Sequence, residues 1–469
     1  MGDPGHEAAL TAAAQAAGAW LDSLPDRAVR PEAGAREMLE AFSEPLPEEG
    51  LDPAEVVREL AARAEPGLMA SGSGRFHGWV IGGTLPAAIG ADWLVSAWDQ
   101  NSAMSEPFPA TTMIEQVTAG WVLDLLDLPR GASVGFVTGG QMANTVCLAA
   151  ARNHVLAAHG WDVEAAGLQG APRVTVLVGA ERHDSVDGAL RLLGLGGATA
   201  TVVPADEAGR VSPGAMAEAA ARAEGPTIVC TQVGNVNGGA VDRVGEIADA
   251  VARPDLWVHV DGAFGLWARA APARRGMVAG AERAHSWATD AHKWLNTPYD
   301  CGLAICADPV AHRRAMGVRA AYLPGGDDLA LRDPIDFNPE LSRRARSVPV
   351  WAALRQLGRR GVADLVERCC AMAELLARGI AAADGAEVLH QDLNQVVVRF
   401  RDPAGADHDA HSRAVLARVQ AEGTCFPSGT VWRGVAGLRL SVSSWRTTED
   451  DVHRTIAALL AAHQGGDGN

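Results

Sequence analysis

One residue stands apart by its rarity. Of the 40 basic residues in this 469-residue chain, Lys293 is the only lysine, and all the others are arginine. A surface lysine exchanges with arginine at little cost, because both carry a solvated positive charge. A guanidinium cannot replace a primary amine that must lose its proton and attack a carbonyl. A lone lysine in a chain so rich in Arg, Ala and Gly therefore points to amine chemistry. It sits in the run Thr289-Asp290-Ala291-His292-Lys293-Trp294. Three further places carry polar or glycine residues of the kind that grip a ligand: Thr138-Gly139-Gly140-Gln141, His183, and Asp261-Gly262-Ala263.

The elements that must position these residues are legible in the hydrophobic pattern. Short β-branched runs at 133–137, 174–178, 227–230 and 256–260 alternate with longer helical patterns, one of them at 142–154. That alternation predicts a parallel sheet covered by helices. Each run ends at a polar or glycine cluster: Thr138-Gly139-Gly140, His183, Gly234 to Gly239, and Asp261. Ligands of open α/β sheets bind beyond the carboxyl ends of the strands, so the clusters are expected to share one site. Residues 1–74 are Ala-, Glu- and Pro-rich helical segments with little apolar surface of their own, expected to pack on another domain or subunit. Beyond Pro349 come a long helical stretch and short strands near 395–400 and 438–442. A helix is expected to start at Thr447 or Thr448, followed by Glu449, Asp450 and Asp451.

The run Val258-His259-Val260-Asp261-Gly262-Ala263, with Thr289 to Trp294 downstream, resembles the group II pyridoxal-phosphate-dependent decarboxylases. That family includes the aromatic-L-amino-acid, glutamate and histidine decarboxylases. The resemblance runs from about Phe76 to Arg446, with Thr138-Gly139-Gly140, His183, Asp261, His292-Lys293 and Tyr322 in family order. It implies an α/β protein of fold type I, aspartate-aminotransferase-like. Such a protein has a large domain built on a mostly parallel sheet of the seven-stranded type and a small α+β C-terminal domain. The expected division is a helical dimerisation segment at 1–74, the cofactor-binding domain at 75–348 and the small domain at 349–469. A homodimer with its site at the subunit interface is implied as well.

The resemblance also assigns roles. The cofactor is pyridoxal 5'-phosphate, an aldehyde on a pyridine ring with a phosphate handle, so it needs an amine, a ring acid and an anion cradle. Lys293 would form the Schiff base, Asp261 would pair with the ring nitrogen, and His183 would stack on the ring. Thr138, Gly139, Gly140 and Gln141 would cradle the phosphate at a helix start. Ala263, Ser286, Asp290 and His292 complete the expected cofactor contacts, although a carboxylate at Asp290 sits awkwardly beside an anion. Trp79, Gly82, Ala103 and Arg446 match substrate-pocket positions. Tyr322, one of only two tyrosines, matches a mobile-loop tyrosine that protonates Cα after carbon dioxide leaves. The expected reaction converts an L-amino acid to its amine through an external aldimine and a quinonoid. An aminotransferase or a carbon–carbon lyase would use the same Lys293 and Asp261. The sequence departs from the family at Gly234-Asn235-Val236, at Gln141 and at Ala103, which leaves the substrate side chain open.

Composition narrows the rest. A chain 48% hydrophobic and 21% charged is a large folded protein. Its net charge of −17 would repel nucleic acid and anionic membranes. The longest weakly polar stretch, Thr84 to Trp98, is broken by Asp92 and is too short to span a bilayer. No signal-peptide pattern follows Met1, and the seven cysteines contain no CxxC pair. The expectation is a reduced, cytoplasmic protein without a zinc site.

Overall fold

The computed structural model describes residues 4–317 and 331–465. Among these residues the strands, in chain order, are β1 (Phe76–His77), β2 (Ser133–Val137), β3 (Thr175–Gly179), β4 (Thr201–Val203), β5 (Thr227–Gln232) and β6 (Leu256–Asp261). They continue with β7 (Ser286–Asp290), β8 (Gly302–Cys306), β9 (Ala386–Asp392), β10 (Gln395–Phe400), β11 (Phe426–Trp432) and β12 (Val435–Ser441).

The larger sheet has the order β2-β8-β7-β6-β5-β3-β4. The pairs from β4 through β7 are parallel, and β8 runs antiparallel between β7 and β2. β2 therefore points the same way as the parallel strands, and all their carboxyl ends share one edge. The strands read as near-continuous apolar runs because both faces are covered. Val137, Val176, Val178, Ile228, Cys230 and Trp257 pack under helix Gly140–Ala157. On the opposite face Val134, Phe136, Leu177, Val229, Val258 and Val260 join a core that reaches helices Pro109–Leu125, Val244–Val251 and Ser347–Ala381.

The smaller sheet has the order β1-β11-β12-β10-β9. Helices His408–Glu422, Glu449–His463 and the latter part of Ser347–Ala381 supply its core, with Val415, Leu459 and Leu376 packed on Val398, Leu438 and Leu440. Helix Glu449–His463 starts at Thr448, whose hydroxyl accepts from Asp451 N at 3.2 Å. The long helix is broken at Gly358, where φ is +62°. β1 pairs in parallel with β11, so Phe76 and His77 belong to the smaller sheet rather than to the sheet that follows them in sequence.

The N-terminal helices Pro4–Ser23 and Pro53–Ala64 pack on each other and are tied to the smaller sheet. The buried Arg75 guanidinium donates to Pro25 O at 2.8 Å, to Arg27 O at 3.0 Å, and to Thr424 O. Val29 N donates to Gly423 O at 2.7 Å. No helix among the described residues is long and apolar enough to cross a membrane.

Candidate active site

β6 and β7 lie side by side with Asp261 opposite Ala288, so Asp261 and Asp290 end neighbouring strands on the same edge. Asp290 N donates to Ala263 O at 2.8 Å and locks the two exits together. The tight turn after β7 then carries Lys293 back over the edge. Its ammonium lies 2.8 Å from Asp290 Oδ2, and the Asp290 side chain is 1% exposed. Asp290 Oδ1 has no hydrogen-bond partner and sits 3.7 Å from His292 Nε2. The main chain of Gly82 crosses directly over this turn. A Cβ on Gly82 would lie 1.9 Å from the Lys293 carbonyl oxygen, so no larger residue fits there without moving the lysine.

β2 delivers Thr138, Gly139 and Gly140 to the same corner, where helix Gly140–Ala157 begins. A Cβ on Gly139 would meet His292 at 3.2 Å, and one on Gly140 would meet Asp290 Oδ2 at 2.8 Å. The glycines thus let His292 and the Asp290 carboxylate pack against the first-turn N–H groups, at the positive end of an 18-residue helix. Gln141 turns its amide toward Gly188 of helix Asp184–Leu192, so only its main chain is left at this corner. His292 accepts from Cys301 N at 3.1 Å and stacks on Tyr299 at 4.3 Å. Burial, above all, pushes the His292 pKa down. Burial, with the Asp290 charge adding, pushes the Tyr299 phenol up to about 12.

Asp261 and His183 line one recess at the ends of β3, β5 and β6. The Asp261 carboxylate is buried and accepts from Asn144 Nδ2 at 3.3 Å and from Ala263 N at 3.2 Å. Among the described residues no cation pairs with it. An anion buried with only two long hydrogen bonds is costly unless something positive joins it. His183 is the N-cap of helix Asp184–Leu192, and its Nδ1 accepts from Ser185 N at 3.1 Å. That leaves Nε2 as the nitrogen turned away from the helix.

Several expected contacts are corrected. Ser286 does not reach the start of helix Gly140–Ala157. It is fully buried at the amino end of β7, with its hydroxyl between Trp257 Nε1 at 2.8 Å and His259 Nδ1 at 2.9 Å. The ring of Trp79 packs against Phe76 and Phe426 at 6.0 and 5.9 Å and keeps about half of its surface exposed. Ala103 is buried, its carbonyl accepting from Ile335 N. A cavity of about 520 Å³ does open against Lys293's neighbours, lined by Ile81, Gly82, Gly83, His292, Tyr299 and Arg446. It is also lined by Trp20 and Leu21 of helix Pro4–Ser23, by Leu24 just beyond that helix, and by Trp93. Arg446 has no carboxylate partner among the described residues and lies over the Trp445 ring at 4.8 Å. Tyr322 lies outside the described residues.

Three further polar residues are not legible as such in the sequence. Tyr299 stands out there only as the second tyrosine. Asn144 carries a usable signal, a polar residue on the face of a helix otherwise lined by Ala, Val, Cys and Leu. Arg439 carries none: it is buried in β12 with Ser428 as its partner, and burial pushes its pKa down to about 10.

The corner offers an amine, main-chain N–H groups at a glycine-flanked helix start and a buried carboxylate with no cation paired to it among the described residues. These are complementary to the aldehyde, the phosphate and the protonated ring nitrogen of pyridoxal phosphate. Comparison with known proteins agrees. The pyridoxal-dependent decarboxylase conserved domain matches residues 36–402. Tryptophan decarboxylase 1 of Oryza sativa subsp. japonica is 29% identical over 414 residues, covering 83% of this chain and 80% of its own. L-2,4-diaminobutyrate decarboxylase of Rhizobium meliloti is 27% identical, covering 89% and 83%. The Oryza sativa TDC structure with PLP and tryptamine superposes with a TM-score of 0.92 at 25% identity, covering 99% of both chains. The chain belongs to the pyridoxal-dependent decarboxylase family and is a pyridoxal-phosphate-dependent carboxy-lyase.

Proposed function

We propose that this enzyme removes the α-carboxylate of an L-amino acid with a bulky apolar or aromatic side chain, giving the amine and carbon dioxide. The observation that carries the reading is the pairing of the chain's only lysine with the glycine-lined corner at the strand ends. When bound there, pyridoxal phosphate supplies an electron sink for the bond cleaved at Cα. Lys293 would hold the cofactor through its aldehyde, Asp261 would face the ring nitrogen, His183 would cover the ring face, and the main chain of Gly139 to Gln141 would hold the phosphate. Ile81, Trp20, Leu21 and Trp93 give the cavity a mostly apolar wall, which favours an apolar substrate side chain. Arg446 places a cation on that wall and suits a substrate carboxylate.

A second copy of the chain completes the assembly in this reading. Residues 1–74 expose Leu10, Leu39, Phe42, Leu46, Leu51 and Leu60, and the following helices expose Trp93, Leu94, Trp98 and Trp121. So much exposed apolar surface fits a homodimer with the site near its interface. The seven free, buried cysteines fit a reducing, cytoplasmic setting.

The test is a panel of L-amino acids, with tryptophan, tyrosine, 2,4-diaminobutyrate and glutamate included, offered to the cofactor-loaded enzyme. Amine and carbon dioxide in equal amounts are expected, fastest with an aromatic substrate. A keto acid without carbon dioxide would replace this reading with an aminotransferase. Tyr322→Phe removes only a phenolic proton, and is expected to keep carbon dioxide release while diverting product from amine to aldehyde with dioxygen consumed. Amine formed at the wild-type rate by that variant would show that Tyr322 does not deliver the proton.

A further inference from the structure

Behind Asp261 and His183 runs a chain of hydrogen bonds, buried except at its His183 end, that the chemistry above does not use. Trp257, His259 and Asp261 alternate along β6, so all three point to the face covered by helix Gly140–Ala157. Ser286 of β7 stands opposite His259 in the sheet register. Trp257 Nε1 lies 2.8 Å from Ser286 Oγ, which lies 2.9 Å from His259 Nδ1. His259 Nε2 is 2.9 Å from Asn144 Oδ1. Asn144 Nδ2 then faces Asp261 Oδ2 at 3.3 Å and Ser185 Oγ at 3.2 Å. Ser185 Oγ closes the path at 2.9 Å from His183 Nδ1. Asn144, His259 and Ser286 are each 0% exposed.

The direction of every bond follows from the groups at the ends. Indole can only donate, so Ser286 accepts from Trp257; its second lone pair and its own proton are both still available to His259 Nδ1, and the other end of the chain decides between them. Asn144 Nδ2 faces the Asp261 carboxylate, so Asn144 Oδ1 faces His259 Nε2, which must carry a proton; in the neutral ring Nδ1 then accepts from Ser286. The opposite amide orientation would set an oxygen against the Asp261 carboxylate and a nitrogen against the His259 N–H. With its oxygen so engaged, Asn144 gives both N–H groups away, one to Asp261 and one to Ser185. Ser185 is left to donate to His183 Nδ1, which already accepts from its main-chain N–H. His183 therefore carries its proton on Nε2. From Trp257 to Asp261 such a chain with a neutral His259 has no alternative proton arrangement of similar energy, because reversing a link creates a donor–donor or acceptor–acceptor contact in a dry interior, whereas the Ser185–His183 end is open to solvent.

We propose that Trp257, Ser286, His259, Asn144 and Ser185 form a positioning relay that sets the Asp261 carboxylate and the His183 tautomer against the cofactor ring. None of the five is a catalytic residue. The proposal rests on the reading of Asp261 and His183 as the residues that meet that ring. His259 is the keystone, since it is the only member that joins β6, β7 and helix Gly140–Ala157.

The experiment compares His259→Leu, which removes both ring nitrogens, with His259→Gln, whose amide nitrogen can replace Nε2 as the donor to Asn144. Two readouts are used. The first is the imidazole ¹⁵N NMR spectrum of the cofactor-free protein, with His183 and His259 assigned by single substitution. The second is the dissociation constant of pyridoxal phosphate, from titration of its visible absorption. The wild-type protein is expected to show the Nε2–H tautomer at both histidines. His259→Leu should bind the cofactor about 10- to 100-fold more weakly, the usual effect of removing a group that orients a ligand-binding side chain. It should also mix the His183 tautomers, and His259→Gln should restore both signals. An Nδ1–H tautomer at His259 in the wild-type protein overturns the proposal without any variant. So does a folded His259→Leu protein with wild-type affinity and an unchanged His183 spectrum. Should His259→Leu fail to fold, Asn144→Ser, which cuts the same chain with a smaller loss of volume, carries the same expectations. Failure of the underlying reading looks different: wild-type protein would not bind pyridoxal phosphate at all.

Discussion

Lys293 has a structural role in the cofactor-free chain as well as a chemical one, and the two can be separated. Lys293→Met keeps the length of the side chain and removes the ammonium. At 2.8 Å from Asp290 Oδ2, two unit charges attract by about 6 kcal/mol at an effective dielectric constant of about 20. Desolvation and the ordering of the lysine offset part of this. Removing one partner of a buried pair nevertheless costs about 3–5 kcal/mol, because the other charge stays behind unpaired. Asp290 is 1% exposed and its Oδ1 has no partner, while Lys293 is 22% exposed. The lower end of that range, about 3 kcal/mol, is therefore expected. Urea unfolding of the cofactor-free proteins measures it. The double variant Lys293→Met, Asp290→Asn should regain most of the loss, since no buried charge is then left alone. The chemical role is read by borohydride reduction of the loaded proteins. Wild type should retain the cofactor on the Lys293 peptide, and both variants should release it. A loss below about 1 kcal/mol with no recovery in the double variant would mean that the pair is no stronger than a surface ion pair, contrary to the geometry.

Other outcomes follow from features farther away. Glu115 and Arg343 are both 0% exposed and 2.9 Å apart, and Arg343 also donates to Phe136 O at the end of β2; Glu115→Ala should cost about 3–5 kcal/mol in urea unfolding, and a change within about 1 kcal/mol would refute the assignment. Burial pushes the pKa of His77 down to about 4 and that of His312 down to about 3. Below the unfolded value of 6.5 only the unfolded chain gains these protons, so each histidine should remove up to about 1.4 kcal/mol of stability per pH unit as pH falls toward 4. Asp242, raised to about 6 by burial, works the other way between 3.8 and about 6, because there the folded chain holds the extra proton. Two histidines against one carboxyl leave a net loss, and equal unfolding free energies at pH 7 and pH 5 would contradict it. Deleting residues 1–70 should give aggregation in sedimentation, since it uncovers the Arg75 and Gly423 contacts together with the cavity; an active, well-behaved monomer would count against the dimer.

Much of the site is legible along the chain because its residues belong to local units. A strand followed by Gly-Gly and a helix start can be read from a dozen residues, and 133–137 with its following glycines lies where the pattern places it. The alternation at 256–260 ends at Asp261 for the same reason. Lys293 needs no structure, only a count. The Gly82 position, matched by resemblance, gains its physical reason from the close approach to Lys293 O.

What the tertiary structure decided concerns groups that meet across the sheet. β7 and β8 do not stand out as strands in the sequence, because each is a five-residue run with mixed polarity or weak flanking signals. Without β7, the level of Ser286 in the sheet is unknowable, and a serine six residues ahead of His292 looks as fit for a phosphate as any other. Register sets it opposite His259 and turns it inward. Trp79 likewise lies only three residues from Gly82, yet a positive φ of 50° sends its ring to Phe76 and Phe426. β1 joins the smaller sheet through a partner some 350 residues away. Local sequence encodes where strands end and helices begin, since backbone propensity and periodicity act over a few residues. The direction a polar side chain takes depends on the donors and acceptors packed against it, and those come from elements far apart in the chain.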